Sequence, residues 1–298
     1  MERIKLAEDF EVSRVVHGYW RLTDWKLTDQ DLLELIRKVM EFGITTFDHA
    51  DIYGDYTCER LFGNALVLDK SLRDKMEIVT KCGIRRWQPS HGVGKNYYDY
   101  SYDHITHSVE NSLRNFQTEY IDLLLLHRPS PFIDPEEVAR AFDDLRSSGK
   151  VRYFGVSNFP ATQFEALNKY LNNKLVTNQV EISPLCLEHF NNGNIDFFLK
   201  EKVYPMAWSP LAGGKIFNPT NSHELHVKET IAEIAKELQV PLDTTVYSWL
   251  LKHPAKIIPI VGSGKLERVK AAVDAMEVQM SLEQWFRIYI AGNGKNLP

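Results

Sequence analysis

Short apolar runs rich in β-branched residues alternate along the chain with longer stretches of helical periodicity. The runs are Val15–Tyr19, Ile44–Asp48, Met76–Thr80, Ile121–Leu126, Val151–Val156, Val176–Val180, Val203–Trp208 and Ile257–Val261. Each is short and bounded by polar or turn residues, as a buried strand requires. Between the first two runs, Thr28–Phe42 places Leu32, Leu35, Ile36 and Val39 on one helix face, with Thr28 as N-cap and Gly43 as terminator. Helical stretches also follow at Glu59–Leu68, Asp103–Phe116, Pro135–Ser148, Pro160–Leu171 and Glu224–His253.

Strand and helix in regular alternation imply parallel strands joined by crossover helices. Eight such repeats favour closure into a (β/α)8 TIM barrel, an α/β fold, as one domain over residues 1–298. A short β-hairpin in the N-terminal residues precedes the barrel and extra helices follow it. A doubly wound open sheet would carry GxGxxG after an early strand, and the sequence has none.

Composition narrows the partners. The 298 residues carry 35 basic and 40 acidic side chains, a net charge of −5 with no basic stripe, which argues against nucleic acid. No segment approaches the ~20 apolar residues of a membrane span, and the charged N-terminus is unlike a signal peptide. The three cysteines, Cys58, Cys82 and Cys186, are odd in number and far apart, so a reducing, cytoplasmic location is expected. A monomer is the default reading, since no coiled coil or long edge strand is evident.

A closed barrel of this type carries its active site at the C-terminal strand ends. The residues there are polar: Asp48 with Tyr53 in DHADIYG, Lys81 in VTKCG, His127 in LLLLHRP, Ser157 and Asn158, Gln179, Trp208 and Ser209, and Gly262 with Ser263. Taken singly, each could be a solvated loop residue or a packed core side chain; convergence on one barrel face is what gives them a common chemistry. Tyr53 can act as a proton donor if Lys81 supplies a neighbouring cation, with Asp48 orienting the lysine and His127 stabilising a developing alkoxide. A metal site is disfavoured: Asp48 and His49 are adjacent on a strand and point to opposite sides, and no HxH, HExxH or cysteine cluster occurs. Tyr19, Trp20, Trp25, Trp87 and the segment Gln284–Pro298 are candidate pocket walls, and Tyr97, Tyr98, Tyr100 and Tyr102 are expected to pack a long loop onto the barrel.

These residues together resemble the aldo-keto reductase family. The carriers are GITTFDHADIYG (43–54), VTKCG (79–83), IDLLLLHRP (121–129), GKVRYFGVSNF (149–159), NQVEISPL (178–185), WSPLAGG (208–214) and PIVGSGKLERV (259–269). The resemblance implies an NAD(P)H-dependent reductase of aldehydes or ketones with a catalytic tetrad of Asp48, Tyr53, Lys81 and His127. It further implies that Ser157, Asn158 and Gln179 bind the nicotinamide carboxamide and that Trp208 stacks on its ring. Ser209, Leu211 and Gly213 fall where the family contacts the pyrophosphate, and Ser263 with Arg268 where it binds the 2′-phosphate of NADP. His49 replaces a small residue, Gly262 a lysine, and Ala271-Ala272 a Glu-Asn pair. These departures leave the tetrad intact and weaken the case for exclusive NADPH binding: NADPH is the preferred cofactor if Lys265 and Arg268 carry the phosphate, and NADH is the alternative. A nicotinamide-binding regulatory subunit with little turnover is the competing function.

Overall fold

All eight apolar runs become strands of a single closed barrel in the computed structural model, which describes residues 1–86 and 94–297. The chain opens with an antiparallel hairpin, β1 (Arg3–Ala7) and β2 (Phe10–Ser13). The barrel then starts with β3 (Val16–Gly18), β4 (Thr46–Asp48) and β5 (Glu77–Cys82). A second small hairpin, β6 (Ile84–Arg85) with β7 (Tyr97–Tyr98), interrupts the pattern. The barrel continues through β8 (Ile121–Leu126), β9 (Val151–Ser157), β10 (Leu175–Glu181), β11 (Met206–Trp208) and β12 (Ile258–Val261). Neighbouring barrel strands are parallel throughout, and β12 pairs with β3 to close the ring.

The period-two alternation of a strand sorts its side chains between the barrel interior and the helical shell. Val16, Val79, Leu123, Leu125, Met206, Ile258 and Ile260 share one apolar cluster inside the barrel. Ile4, Phe10 and Val12 of the leading hairpin belong to that cluster and close the end opposite the polar strand tips. Residues of the other parity, such as Leu124, Leu126, Phe154 and Val156, pack outward against the helices.

The helices begin and end where local chemistry demands. The helix Asp29–Glu41 is capped by Thr28, whose side chain accepts from the Asp31 N–H while Asp31 reciprocates, and Gly43 leaves the helix at φ 86°. The long periodic region from Glu224 divides into two helices, Ser222–Leu238 and Leu242–Lys252. Gln239 turns the chain at φ 56°, and Pro241, without an N–H, stands as N-cap of the second helix. Beyond β12 lie the helices Leu266–Asp274 and Leu282–Asn293.

Candidate active site

Strand parity places the functional candidates. Asp48, Lys81, Ser157, Gln179 and Trp208 occupy the inward parity at the C-terminal ends of β4, β5, β9, β10 and β11, and His127 continues the inward series of Leu123 and Leu125 one step past β8. Tyr53 comes from the loop after β4, where the backbone N–H groups of Tyr53, Thr57 and Cys58 bond carbonyls of the same short segment.

Lys81 is the hub. Its Nζ bonds Asp48 Oδ1 and Oδ2 at 2.8 Å each, the His49 carbonyl at 2.6 Å and Tyr53 Oη at 3.0 Å. The side chain is fully buried, and burial opposes its charge, yet Asp48 and Tyr53 outweigh that cost and its pKa lies above the ordinary lysine value. Gln179 Nε2 donates to Asp48 Oδ1 at 2.7 Å, which fixes the carboxylate from the other side.

The sign of the Tyr53 shift differs from the simplest expectation. Burial raises its pKa more than the Lys81 cation lowers it, so the phenol is held neutral and protonated. His127 faces Tyr53 with ring centroids 6.0 Å apart at an interplanar angle of 77°. Burial, with the Lys81 and Arg128 cations adding to it, keeps this imidazole well below the usual histidine range and therefore neutral. The arrangement is a protonated acid, a neutral hydrogen-bonding imidazole and a buried cation, with no nucleophile among them.

These groups open onto a cavity of about 590 Å³. All nine residues expected to hold a cofactor line it: Ser157, Asn158, Gln179, Trp208, Ser209, Leu211, Gly213, Ser263 and Arg268. Trp208 Nε1 donates to Asn158 Oδ1 at 3.0 Å, and Asn158 Nδ2 donates to Ser157 Oγ at 2.8 Å. Ser157 Oγ in turn donates to the Gln179 carbonyl at 2.9 Å. The indole is thus tied by a chain of hydrogen bonds to the strand ends. Gln179, expected to meet a nicotinamide, lines the cavity and also gives one amide N–H to Asp48.

Several pocket-wall expectations are corrected. Only Trp20 of the first-strand aromatics lines the cavity. Tyr19 is fully buried, stacked on His49 at 4.7 Å and edge-on to Phe62 at 4.9 Å, while Trp25 packs near His17 at 5.8 Å. The helix Leu282–Asn293 packs against the helix Ser222–Leu238 and contributes nothing to the cavity. Trp87 lies outside the described residues. In the long loop, Tyr100 is buried as expected, whereas Tyr97 and Tyr98 are exposed. His49, opposite in parity to Asp48, turns away from it into a cage of Tyr19, Phe62 and Phe116. Among the described residues no three His, Cys, Asp or Glu side chains are grouped to hold a metal.

Among the cavity residues that escaped the sequence reading are two cations, Arg21 and Arg128. Arg128 directly follows His127, so the strand-end rule that selected the histidine could have included it.

The sequence profile of the Aldo/keto reductase family matches residues 14–292. The chain belongs to this family. As an aldo/keto reductase it is an oxidoreductase, and its relatives agree. It is 51% identical over its whole length to the whole of the uncharacterized oxidoreductase YcsN of Bacillus subtilis, and 43% identical, again across all of both chains, to the 6-dehydroglucose reductase of Agrobacterium fabrum. A solved structure of the thermostable aldo-keto reductase Tm1743, in complex with the inhibitor epalrestat, superposes with a TM-score of 0.82 at 26% identity, covering 98% of this chain and all of the other.

Proposed function

We propose that this aldo/keto reductase uses NADPH to reduce an aldehyde or ketone to an alcohol, with Tyr53 as general acid. The observation that carries the reading is the 3.0 Å contact from Lys81 Nζ to a protonated Tyr53 at the wall of a cavity. A reduced nicotinamide bound there would supply the hydride to the carbonyl carbon.

The residues suit such a cofactor. Arg268 lines the cavity without an ion pair among the described residues, and Ser263 adjoins it ahead of the helix Leu266–Asp274. A free guanidinium and a hydroxyl near a helix start match a 2′-phosphate dianion. At the other end Trp208, held by Asn158, offers a flat apolar face for an aromatic ring.

The chain's own part in the reaction follows from the site's charges. Tyr53 gives its proton to the carbonyl oxygen as negative charge develops there, and Lys81 stabilises the phenolate left behind. Asp48, clamped by Gln179, keeps Lys81 charged and aimed. His127, neutral, orients the oxygen by a hydrogen bond without competing as the acid. The relatives named for 6-dehydroglucose, at 43% and 38% identity, favour an oxidised sugar as the carbonyl compound.

The test is NADPH oxidation by the purified protein with a panel of aldehydes, alongside tryptophan fluorescence with NADPH and NADH. Turnover lost in Tyr53→Phe while nucleotide quenching persists supports the assignment; near-normal turnover in that variant refutes it.

A further inference from the structure

Arg128 is a cation placed beside the reacting groups without a carboxylate partner among the described residues. It follows His127 at the cavity wall and is half-buried. Its guanidinium lies 5.6 Å from the centre of the Trp208 ring. No ion pair or side-chain hydrogen bond involves that guanidinium among the described residues. Glu181 feels its charge but stands beyond ion-pair distance. Its field reaches both Tyr53 and His127, opposing the upward push of burial on the tyrosine and adding to the downward push of burial on the histidine.

The backbone beneath this side chain is fixed. Tyr100 Oη donates to the Arg128 carbonyl at 2.5 Å and accepts from its N–H at 2.9 Å. Pro129 further restricts the residue before it to an extended conformation. Tyr100 is seated by Gly83, at φ 104°, where an added Cβ would fall 1.9 Å from the ring. The backbone that carries the cation is therefore fixed at the cavity wall. The cavity lining mixes the polar strand-end residues with apolar side chains, Trp20, Ile52, Ile84 and Phe217 among them.

The other two unpaired cavity cations are placed differently. Arg268 belongs with Gly262 and Ser263 past β12, and Arg21 leans on the exposed Trp20 at 5.4 Å. Neither is among the charges that act on Tyr53 or His127. A fork of guanidinium donors at that point, with no carboxylate partner among the described residues, calls for hydrogen-bond-accepting oxygen on the bound molecule.

We propose that Arg128 is a specificity-determining residue that grips an oxygen on the carbon next to the substrate carbonyl, so that the substrate is a hydroxy-aldehyde or an oxo-acid. This deepens the reductase reading and rests on it. The shared chemistry is an acceptor oxygen beside the reacting carbon; whether it belongs to a hydroxyl or a carboxylate is for the substrate series to decide.

The experiment assays the full chain with NADPH on glyceraldehyde, glyoxylate and propanal, in wild type, Arg128→Met and Arg128→Lys. The wild type is expected to favour at least one oxygen-substituted aldehyde over propanal by roughly 10- to 100-fold in kcat/KM, chiefly through KM. In Arg128→Met that advantage shrinks to a few-fold, and Arg128→Lys restores part of it. A larger advantage for glyceraldehyde identifies a hydroxyl partner, and one for glyoxylate a carboxylate.

An advantage that survives in Arg128→Met, or none in the wild type, overturns the inference. An equal loss on all three aldehydes with a displaced pH profile also overturns it, because Arg128 would then act through Tyr53. Reduction of propanal without any oxygen preference removes the inference and leaves the reductase reading standing, while reduction of none removes both.

Discussion

Lys81–Asp48 and Arg73–Asp122 are both buried cation–carboxylate pairs, closing at 2.8 Å and 2.7 Å with side-chain exposures of 0% and 4% in the first and 9% and 3% in the second. Their remaining partners differ. Arg73 spends its other donors on Thr118 Oγ1 and on the carbonyls of Met76 and Tyr120, while Asp122 accepts from the Ile78 N–H and from Arg152. Those contacts gather the segments at the N-terminal ends of β5, β8 and β9, and none of these residues lines the cavity. Lys81 gives one contact to Tyr53, a group with a proton to release at a cavity wall. Burial makes either pair costly to break, but only the pair with a titratable third member facing open space can do chemistry.

Removing the third member is expected to have the largest effect. Tyr53→Phe keeps the Lys81–Asp48 pair and loses the proton, so kcat should fall by about 10²–10⁴-fold with a small change in unfolding midpoint. Arg73→Met should do the reverse, because it leaves Asp122 buried with one fewer cation. Denaturant unfolding should show a loss of about 3–5 kcal/mol, while the folded fraction retains its kcat. If Arg73→Met lowers kcat as steeply as Tyr53→Phe, the contrast between the two pairs is broken.

The unpaired cation Arg268 sharpens the comparison from the binding side. Without an ion pair among the described residues it adds little to the fold, so Arg268→Ala should melt like wild type. It should weaken NADPH by roughly 10- to 100-fold in a fluorescence titration and leave NADH within about twofold. Equal weakening of both nucleotides would place the arginine elsewhere than on the 2′-phosphate.

Buried groups without a counter-ion make the next contrast. Burial holds His17 down to about 4 from an ordinary 6.5, and holds His49 and His127 below that ordinary value as well. They are neutral in the fold, whereas the unfolded chain takes up their protons below pH 6.5. Their contribution is therefore complete above about pH 6.5 and declines as the pH falls below it, for His17 over the range down to about 4 at about 1.4 kcal/mol per pH unit. His49→Phe, which keeps an aromatic ring in the cage of Tyr19, Phe62 and Phe116, should flatten this acid limb in pH-dependent unfolding. An unchanged limb would show that His49 does not titrate there.

The smallest expected effect concerns the indole tether. Asn158→Ala removes the 3.0 Å bond from Trp208 Nε1, a contact worth about 1 kcal/mol, so nucleotide affinity should drop several-fold. Deuterium transfer from labelled NADPH should also become less face-selective. Unaltered affinity and selectivity would mean that Trp208 is held by packing alone.

Local periodicity carried most of the fold. Short apolar runs bounded by polar or turn residues marked all eight barrel strands, and Thr28 with Gly43 bounded a helix, because these signals depend on residues close together in the chain. The two-residue strands Ile84–Arg85 and Tyr97–Tyr98 were not legible, being too short to show a period. Parity also brought Asp48, Lys81 and His127 to one end of the barrel, since a polar residue that ends an apolar strand can stay inward only where the core stops.

The pocket walls and the balance of charge were decided by tertiary structure. Tyr19 and Trp20 are neighbours in sequence, yet one is fully buried and the other 57% exposed, because strand β3 ends between barrel core and open loop. The Gln179 amide bonds Asp48, 131 positions away, through closure of the ring. Residue types alone allowed Lys81 to act on Tyr53; only desolvation at that spot sets the net direction upward and keeps the proton in place. Periodicity is a property of adjacent residues, whereas burial and the meeting of strand ends are properties of the closed barrel.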